Sequence, residues 1–377
     1  MLEGITAYAK HRANWSIHLT EQERGALPPV WLDDFGGDGI IARIETSAIG
    51  QRLSRFGLPL VDLSAARFLK DVPWADTDDE AISRLAVEHF LERGFNEIGY
   101  CGDPGFAWSD ARCRHVRRVV RSAGARYHEH QVTHRYDRSF RWDRERQRVA
   151  AWLEQLPRPA AIMACYDFQA QLVLDVCRES GVSVPEEIAV LGVDDDHLIC
   201  ELCEPSLSSV IPDTRRTGYE AAELLDRMMN GETVSPERPL LTQPLGIRTR
   251  QSTDTLAIAD PAVARALSFI RRHAPLANIR VGDVLQHVSL SRRALEHRFT
   301  RHIGRTPHQE ITRVRIDHIC TLLRETDLSI HEIARRSGID YPEYLAATFR
   351  RETGQTPTQY RTTVNADPAD GTPHAPR

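Results

Sequence analysis

The sequence predicts an α/β domain followed by an all-α domain. Up to about residue 250, short apolar segments alternate with longer amphipathic segments, as strands and helices alternate around a parallel sheet. Beyond about residue 260, apolar residues recur only at the three- and four-residue spacing of helices. A pattern of two helices joined by a turn also occurs twice there. Together these observations predict a sheet domain with a separate helical domain after it.

The α/β region divides into elements when its apolar periodicity is followed from the N-terminus. A polar stretch at 249–260 follows the last element, and the linker to the helical region is predicted at 254–261. The predicted elements are helices at 2–12, 78–93, 111–123, 168–180 and 215–229, strands at 15–19, 36–44, 58–63, 97–102, 160–165 and 188–194, and an extended segment at 240–248.

Composition limits the class of protein. With 41% hydrophobic and 27% charged residues, and no apolar run near the ~18 residues of a membrane span, the chain is typical of a soluble globular protein. Its first residues lack the basic and apolar regions of a signal peptide. The seven cysteines are scattered, which is typical of reduced thiols. A cytoplasmic location without a membrane partner is therefore expected.

Charge is distributed unevenly along the chain. Residues 262–361 contain seventeen arginines, no lysine and ten acidic residues, which gives this segment a charge of +7. Because the whole chain carries −5, the remainder carries −12. A basic segment attached to an acidic one is typical of a DNA-binding domain joined to a sensing domain, although a solvated charged surface would also account for it.

The second of the two repeated units lies near the C-terminus. Its first helix buries Ile333, and Gly338 then permits a sharp turn, because glycine tolerates positive φ. The next helix begins at Pro342 and buries Leu345 and Phe349, four residues apart. Helix, short turn and helix is the arrangement that places a second helix in the major groove of DNA.

The first unit repeats these features about fifty residues earlier. A helix that begins near Ser291 buries Leu295 and Phe299 at the same spacing. Both units end in a glycine, Gly304 or Gly354, followed by Thr-Pro two residues later. The sequence therefore predicts two helix-turn-helix units of the same design.

A duplicated helix-turn-helix with these landmarks resembles the AraC/XylS DNA-binding domain. The resemblance covers residues 262–361 and includes a connecting helix at 312–324. Ile339 and Leu345 stand where that family often has Phe, and both remain apolar. The resemblance implies an all-α double helix-turn-helix domain, after which 362–377 are expected to form a disordered tail.

The α/β region resembles the sugar-binding core of LacI/GalR-type repressors. That resemblance implies a two-lobed, periplasmic-binding-protein-like domain over residues 1–253, with its ligand between the lobes at the carboxyl ends of the strands. Family members begin with a strand that precedes the helix at Leu2. This sequence lacks that strand, so the expectation is either a start codon that lies upstream or an incomplete lobe. The matching segments are 38–41, 93–100, 108–112, 192–195, 205–209 and 250–253.

The combination of the two domains resembles the xylose-operon regulators. This resemblance implies a sugar-responsive transcription regulator, with D-xylose or another pentose as its ligand. It also implies activation of pentose catabolism genes, a homodimer on tandem DNA half-sites, and RNA polymerase as a candidate partner. A response to a different sugar remains an alternative. A second alternative, from another class, is a sugar-binding component whose helical domain binds a protein, which the +7 charge disfavours.

Candidate ligand residues follow the predicted strands. Sugars are held by carboxylates and arginines on their hydroxyls and by aromatic rings on their C–H faces. Asp194 and Asp167 each follow a strand, and capping of the next helix is the alternative role for both. Arg112 and Trp108 lie on a turn into a helix. Asp78 is a further candidate, although it is also placed to cap the helix that it begins.

The second helix of each helix-turn-helix unit is called its reading helix, and the candidate DNA-binding residues lie on the outward faces of these two helices. Arg293 and His297 share one face, and an arginine can donate two hydrogen bonds to guanine. The second reading helix is poorer in donors, so we expect it to contact phosphates and thymine methyl groups. The predicted residues are Ser291, Arg292, Arg293, Glu296 and His297 in the first unit and Glu343, Tyr344, Ala346, Ala347, Arg350 and Arg351 in the second.

Three other patterns do not predict a site. Cys200, Cys203 and His197 resemble half of a zinc site, but no second ligand pair follows at zinc-finger spacing. The glycines at 36–39 are too short a motif for a dinucleotide-binding loop. The acidic run 194–196 has no nucleophile at a matching spacing. The sequence therefore predicts no enzyme, no catalytic residue, no metal and no cofactor.

Overall fold

The computed structural model describes residues 1–12, 14–19, 26–34, 36–134, 137–255, 257–258, 260–339 and 341–366. The chain divides into two compact units, Met1–Thr255 and Leu256–Arg377. The division falls inside the predicted linker. Ser252 and Thr253 are fully buried in the first unit. No helix among the described residues is long and apolar enough to cross a bilayer.

The first unit alternates strands and helices as predicted. Its elements in chain order are α1 (Leu2–Arg12), β1 (Ile40–Ala42), α2 (Ser47–Ser54), β2 (Leu60–Asp62), β3 (Ala75–Thr77), α3 (Asp79–Glu92), β4 (Glu97–Gly102), α4 (Ala107–Ser122), β5 (Arg126–Gln131), α5 (Trp142–Gln155), β6 (Ala160–Ala164), α6 (Asp167–Glu179), β7 (Ile188–Val193), α7 (His197–Leu202), β8 (Ser208–Ile211), α8 (Thr214–Met229), β9 (Leu240–Thr242) and β10 (Gly246–Arg248). Short 3-10 turns lie at Val30–Asp34 and Gln251–Thr253.

The larger lobe of this unit is built on a six-stranded sheet in the order β10-β8-β7-β6-β4-β5. All its strand pairs are parallel except β10 with β8. The central strands are apolar and buried on both faces, as a parallel sheet covered by helices requires. Because these strands are parallel, the residues that follow β4, β6 and β7 meet at one edge of the sheet.

The smaller lobe contains two short parallel pairs, β1 with β2 and β3 with β9. A bridge between Asp62 and Trp74 joins the pairs. Helices α1 and α8 pack on each other through glycines. A Cβ on Gly4 would lie 1.8 Å from the carbonyl oxygen of Arg215, and one on Gly218 would lie 2.0 Å from that of Met1. Only glycine permits so close an approach of two backbones.

The chain crosses between the lobes three times, from β3 to α3, from β8 to α8 and from β9 to β10. Side chains join these crossings. Asp78 accepts a hydrogen bond from Gln243 Nε2 at 2.8 Å, and the hydroxyls of Thr217 and Thr242 lie 2.5 Å apart. The crossings therefore form a hydrogen-bonded hinge region between the lobes.

The second unit is entirely helical. Its helices are α9 (Pro261–His273), α10 (Val281–Gln286), α11 (Arg292–Ile303), α12 (Pro307–Glu325), α13 (Ile330–Arg336), α14 (Pro342–Thr353) and α15 (Pro357–Ala366). Two separate apolar cores lie in it, one around Leu295 and Phe299 and one around Leu345 and Phe349.

The ends of α11 and α14 are built alike. Gly304 and Gly354 have φ of 77° and 78°, the left-handed conformation that closes a helix. Two residues later Thr306 and Thr356 accept a hydrogen bond from the backbone N–H of the glutamine three positions on. The Gly-x-Thr-Pro pattern therefore ends one helix and begins the next, because glycine supplies positive φ and threonine supplies the cap.

Several predicted boundaries differ from the structure. The stretch 15–19 forms no strand, and 240–248 splits into β9 and β10, which belong to different lobes. Helix α4 begins at Ala107 rather than near residue 111. Residues 362–366 of the predicted tail continue α15, and 367–377 lie outside the described residues.

Candidate ligand site and DNA interface

Arg112 is the centre of a polar cluster at the carboxyl edge of the large sheet. It is 5% exposed, and its Nε donates to Asp79 Oδ1 at 2.7 Å. Its Nη1 donates to the carbonyl oxygen of Cys165 at 2.6 Å, at the end of β6. The guanidinium carbon lies 4.8 Å from the centre of the Trp108 ring, within the range of a cation–π contact. Arg112 thus joins the end of β6, on the large sheet, to the start of α3, where the chain leaves the small lobe.

Carboxylates surround this guanidinium. Burial acts to lower the pKa of Arg112, but the carboxylates of Asp79 and Asp194 outweigh it and hold that pKa above its usual value. Burial, together with the Asp79 carboxylate, raises the pKa of Asp76 to about 6. The site therefore contains one cation among three acidic groups, an arrangement that offers several hydrogen-bond acceptors to a polyol.

An aromatic group lies beside the cluster. Phe106 and Trp108 stack with ring centres 4.9 Å apart and an angle of 14° between their planes. Tyr166, at the N-terminus of α6, meets the Trp108 ring edge-on at 5.7 Å. All three side chains are half-buried, so part of each ring faces solvent at the carboxyl ends of the strands. Such ring faces suit the C–H face of a sugar.

Asp194 lies in a strained turn directly after β7. Its backbone φ is +113°, which residues other than glycine rarely adopt, and the φ of Asp195 is +51°. Asp195 is held by ion pairs with Arg250 at 2.9 Å and Arg248 at 3.3 Å. Strained residues of this kind cluster at functional sites, because the surrounding structure must hold them in place. The turn leaves the Asp194 side chain exposed beside Arg112.

Asp167 is buried rather than open to the site. It is 1% exposed, and its two carboxylate oxygens accept hydrogen bonds from Ser209 Oγ at 2.6 Å and from the backbone N–H of Asp196 at 2.8 Å. Burial raises its pKa to about 7, with a smaller contribution from the charge of Asp194. Asp167 therefore joins α6 to the turn that contains Asp194.

Asp78 lies in the hinge region. Its side chain caps α3 by accepting from the backbone N–H of Ala81 at 3.0 Å, and it also binds Gln243. Among the five predicted ligand residues, the structure brings Trp108, Arg112 and Asp194 together. It places Asp167 behind Asp194 and Asp78 at the crossing between lobes.

Sequence reasoning missed Asp76 and Asp79. Asp76 lies within the short strand β3, and Asp79 is the first residue of α3, two positions after that strand ends. A carboxylate soon after a strand was a usable signal for Asp79, and the same signal had identified Asp194. Because β3 has only three residues, it was not recognised as a strand, and so this segment was interpreted as the start of a helix alone.

The reading helix α11 presents charged side chains to solvent. Ser291 caps it by accepting from the backbone N–H of Ala294 at 3.3 Å. Arg292 pairs with Glu296 at 3.0 Å along the helix. Arg293 and His297 are exposed on the next face. An exposed arginine at this position has the chemistry to donate paired hydrogen bonds to guanine.

The second reading helix, α14, presents a different surface. Glu343, Tyr344 and Ala347 are exposed on it, whereas Ala346 is half-buried. Arg350 and Arg351 lie in its last turn, and Arg351 pairs with Glu352 at 2.9 Å. The two reading helices therefore share their buried positions and differ in the side chains that face outward.

The two cysteines of the rejected zinc pattern are packed rather than open, whereas His197 is exposed. Cys200 and Cys203 are buried, and the thiol of Cys200 lies 3.6 Å from the Asp167 carboxylate. Burial raises the pKa of Cys203 to about 12, which keeps that thiol protonated. Within the described residues no group of three or more His, Cys, Asp or Glu side chains could hold a metal ion.

Comparisons with known proteins agree with this architecture. Residues 87–253 match the model of a periplasmic binding protein-like domain, and residues 284–363 match a helix-turn-helix domain. The xylose operon regulatory protein of Escherichia coli K12 is 32% identical over 369 residues, which are 96% of this chain and 93% of that protein. Its counterpart in Haemophilus influenzae is 34% identical, over 96% of this chain and 94% of that protein.

A solved structure has the same fold along nearly the whole chain. The structure of a xylose-binding transcription activator, xylR, superposes with a TM-score of 0.81 at 31% identity and covers 96% of this chain and 93% of its own. These relatives are transcription regulators rather than enzymes. With its helix-turn-helix domain and its periplasmic binding protein-like domain, this chain belongs to the family of xylose operon regulatory proteins and is a DNA-binding transcription regulator.

Proposed function

We propose that this regulator binds D-xylose at the Arg112 cluster and then activates transcription of pentose catabolism genes. The observation that carries the proposal is the group formed by Arg112, Asp79, Asp194 and Trp108 at the carboxyl edge of the sheet. A guanidinium, two carboxylates and an aromatic face are the groups that bind sugar hydroxyls and C–H surfaces. The likeness to xylose operon regulators along 96% of the chain supports the choice of xylose.

In this proposal each side chain has its own role. Asp194 accepts hydrogen bonds from two sugar hydroxyls, and Arg112 donates to a third oxygen while it holds Asp79. Trp108 covers the C–H face. Asp167 and Asp78 contribute by holding the Asp194 turn and the hinge region rather than by direct contact. Asp167 is suited to this role because both of its carboxylate oxygens already accept protein hydrogen bonds.

Sugar binding acts through the balance between open and closed lobes. A sugar that contacts residues from both sides of the hinge favours the closed arrangement, since a ligand shifts an equilibrium only by its difference in affinity for the two states. We propose that the chain acts in the cytoplasm as a homodimer on tandem half-sites. Closure then repositions the reading helices, and contact with RNA polymerase completes activation.

The test is calorimetry of the full chain with xylose, arabinose, ribose and glucose. The informative variant is Asp194→Gly, because glycine accepts a φ of +113° without strain and the change removes the carboxylate together with its single methylene group. Hydrogen bonds to a charged group contribute about 1.5–3 kcal/mol each, so the xylose affinity should fall more than about tenfold.

Asp175→Asn is the matched control, since Asp175 is a surface carboxylate on α6 that pairs with Arg178. It should leave the Kd for xylose unchanged. Absence of heat with every pentose in the unmodified protein would contradict xylose as the ligand. An Asp194→Gly variant that binds xylose as tightly as the unmodified protein would remove Asp194 from the site.

A further inference from the structure

A second polar cavity lies in the large lobe, at the end of β5 and the start of α5. It has a volume of about 230 Å³ and is lined by Thr133, Ser139, Arg141, Arg144, Glu145 and Arg148. None of these residues belongs to the Arg112 cluster. The lining combines three guanidinium groups with two hydroxyls and one carboxylate, so its chemistry suits an anion rather than a neutral sugar.

The three arginines lie at the start of α5. Arg144 and Arg148 are four residues apart on one face of the helix, and Arg141 is the capping residue directly before it. Arg146 lies on another face and pairs with Glu179. Because like charges repel each other, Arg141 and Arg144 beside one cavity are unfavourable unless an anion is bound against them.

Two of these guanidinium groups have no carboxylate partner within salt-bridge distance among the described residues. Arg141 donates only to the carbonyl oxygens of Arg138 and Phe140, at 3.1 Å and 2.7 Å. Arg144 is exposed and extends over the cavity. Every other arginine of α5 is paired, which distinguishes these two from ordinary surface residues of the same helix.

The one acidic group of the cavity is already engaged. Glu145 is 2% exposed, and its Oε2 accepts from the backbone N–H of Thr133 and from Arg148 Nη1, both at 3.0 Å. Its Oε1 lies 3.6 Å from His130 Nε2. Glu145 and Arg148 largely neutralise each other, so the charge offered to a ligand is that of Arg141 and Arg144.

The end of the helix adds to this charge. Arg141 occupies the capping position of α5, and no side chain there accepts a hydrogen bond from the first turn. Asp143 and Glu145 supply negative charge to the first turn, which a helix N-terminus favours, whereas Arg141 and Arg144 lie there without a carboxylate partner among the described residues. An anion bound in the cavity would relieve the repulsion between these two guanidinium groups.

We infer that this cavity is a second effector site that binds the phosphoryl group of a small phosphorylated metabolite. Arg141 and Arg144 bind the phosphoryl oxygens, because planar guanidinium groups donate paired hydrogen bonds to them. The Thr133 hydroxyl, which accepts from Arg148 Nη1 at 2.7 Å, keeps its own proton to donate, whereas the Ser139 hydroxyl already donates to Asp137 Oδ1 at 2.7 Å. A volume of about 230 Å³ is below the ~300–1,000 Å³ of pockets for drug-sized ligands, so it suits a phosphoryl group with a small organic part.

Calorimetry of the full chain tests the site with ribose 5-phosphate, adenosine monophosphate, inorganic phosphate, sulfate and uncharged ribose. We expect saturable binding of a phosphorylated probe that weakens by at least about tenfold in R141Q/R144Q. The single variant Arg144→Gln should show part of this loss and, because Arg144 is exposed, should fold as the unmodified protein does. Arg146→Gln is the matched control on the same helix and should bind as the unmodified protein does.

The probes distinguish the possible sources of the phosphoryl group. Tighter binding of an organic phosphate identifies a phosphorylated metabolite, and equal binding of inorganic phosphate identifies free phosphate. Binding should also weaken as the pH falls below about 6, where phosphate takes up a proton.

No saturable heat with any probe at about 10 mM would overturn the inference. Equal, weak binding of sulfate and phosphate that R141Q/R144Q leaves unchanged would reveal an adventitious ion only. Xylose binding should be the same in all these variants, so this test fails or succeeds independently of the proposed sugar site.

Discussion

Asp62, Asp76 and Asp167 are among the carboxyl groups of the first unit whose surroundings favour the protonated form. Burial raises the pKa of Asp62 and of Asp167 to about 7, and that of Asp76 to about 6. Asp62 is fully buried, and its Oδ1 accepts from the backbone N–H of Ile44 at 3.1 Å, while its Oδ2 has no hydrogen-bond partner among the described residues. A buried carboxylate with so few donors is expensive to ionise.

These pKa values predict how stability changes with pH. A carboxyl whose pKa is higher in the folded than in the unfolded protein is protonated more readily when folded, so it stabilises the fold at low pH and less as pH rises. Each such group lowers the free energy of unfolding by up to about 1.4 kcal/mol per pH unit between about pH 4 and its folded pKa. Buried His89, with its pKa lowered to about 3, acts in the opposite direction below pH 6.5.

Asp62→Asn isolates one carboxyl from this background. Asparagine does not ionise at this position. The decrease in the free energy of unfolding between pH 5 and pH 7 should therefore be smaller in the variant than in the unmodified protein, by about 1–2 kcal/mol. Urea unfolding followed by tryptophan fluorescence measures it cleanly, because all six tryptophans precede residue 253. Identical pH slopes for the two proteins would show that Asp62 is ionised in the folded state throughout.

At the scale of elements, the two reading helices α11 and α14 have the same buried residues but different exposed residues. Leu295 and Phe299 of α11 correspond to Leu345 and Phe349 of α14, fifty residues later, and all four are fully buried. The same offset places Glu343 where α11 has Arg293. The buried positions thus fix the helix in its unit, while the outward position carries opposite charges in the two units.

This difference predicts distinct effects of two substitutions. Arg293→Ala should remove a contact to a base, so discrimination at one base pair should fall by about 1–3 kcal/mol without a change in fold. Arg350→Ala should weaken binding to all sequences alike and reduce the salt dependence by about one phosphate contact. Binding to operator variants at several salt concentrations measures both quantities.

The two variants serve as controls for each other, because both remove an exposed arginine from a reading helix. If both reduced affinity uniformly across sequences, Arg293 would contact phosphate rather than a base. If Arg350→Ala altered the base preference, α14 would read sequence directly.

Elements with a continuous apolar pattern were predictable from the sequence. Elements and side chains whose positions depend on contacts with other parts of the fold were not. The strand 97–102 and the helix 168–180 agree with β4 and α6 within a residue because their buried faces are continuous. The edge strand β5 was missed because its residues are polar and half-exposed. The sequence also led us to expect Asp167 beside the ligand, whereas the turn formed by Ser209 and Asp196 encloses it. Such an enclosure depends on contacts 29 and 42 residues distant along the chain.

At the scale of the whole molecule, the two units have separate apolar cores. Among the described residues, the apolar clusters of the first unit and the two of the second have no residue in common. Separate cores are what two units that fold independently require.

If the second unit folds independently, the stability of an isolated fragment depends on the residue at which the fragment begins. A fragment 260–366 keeps Asp260, which caps α9 and pairs with Arg298 at 3.3 Å, but it omits Ile258. Ile258 is only 3% exposed in the core around Leu295 and Phe299, and burial of such a side chain contributes about 1.5–3 kcal/mol. The fragment 255–366 should therefore fold with a higher free energy of unfolding than 260–366, measured by circular dichroism in urea.

Both fragments should bind DNA with strong salt dependence and give no response to xylose. Equal stability of the two fragments would show that Ile258 does not pack in the isolated unit, and a DNA-inert 255–366 would mean that the reading unit depends on the sensing unit for its function.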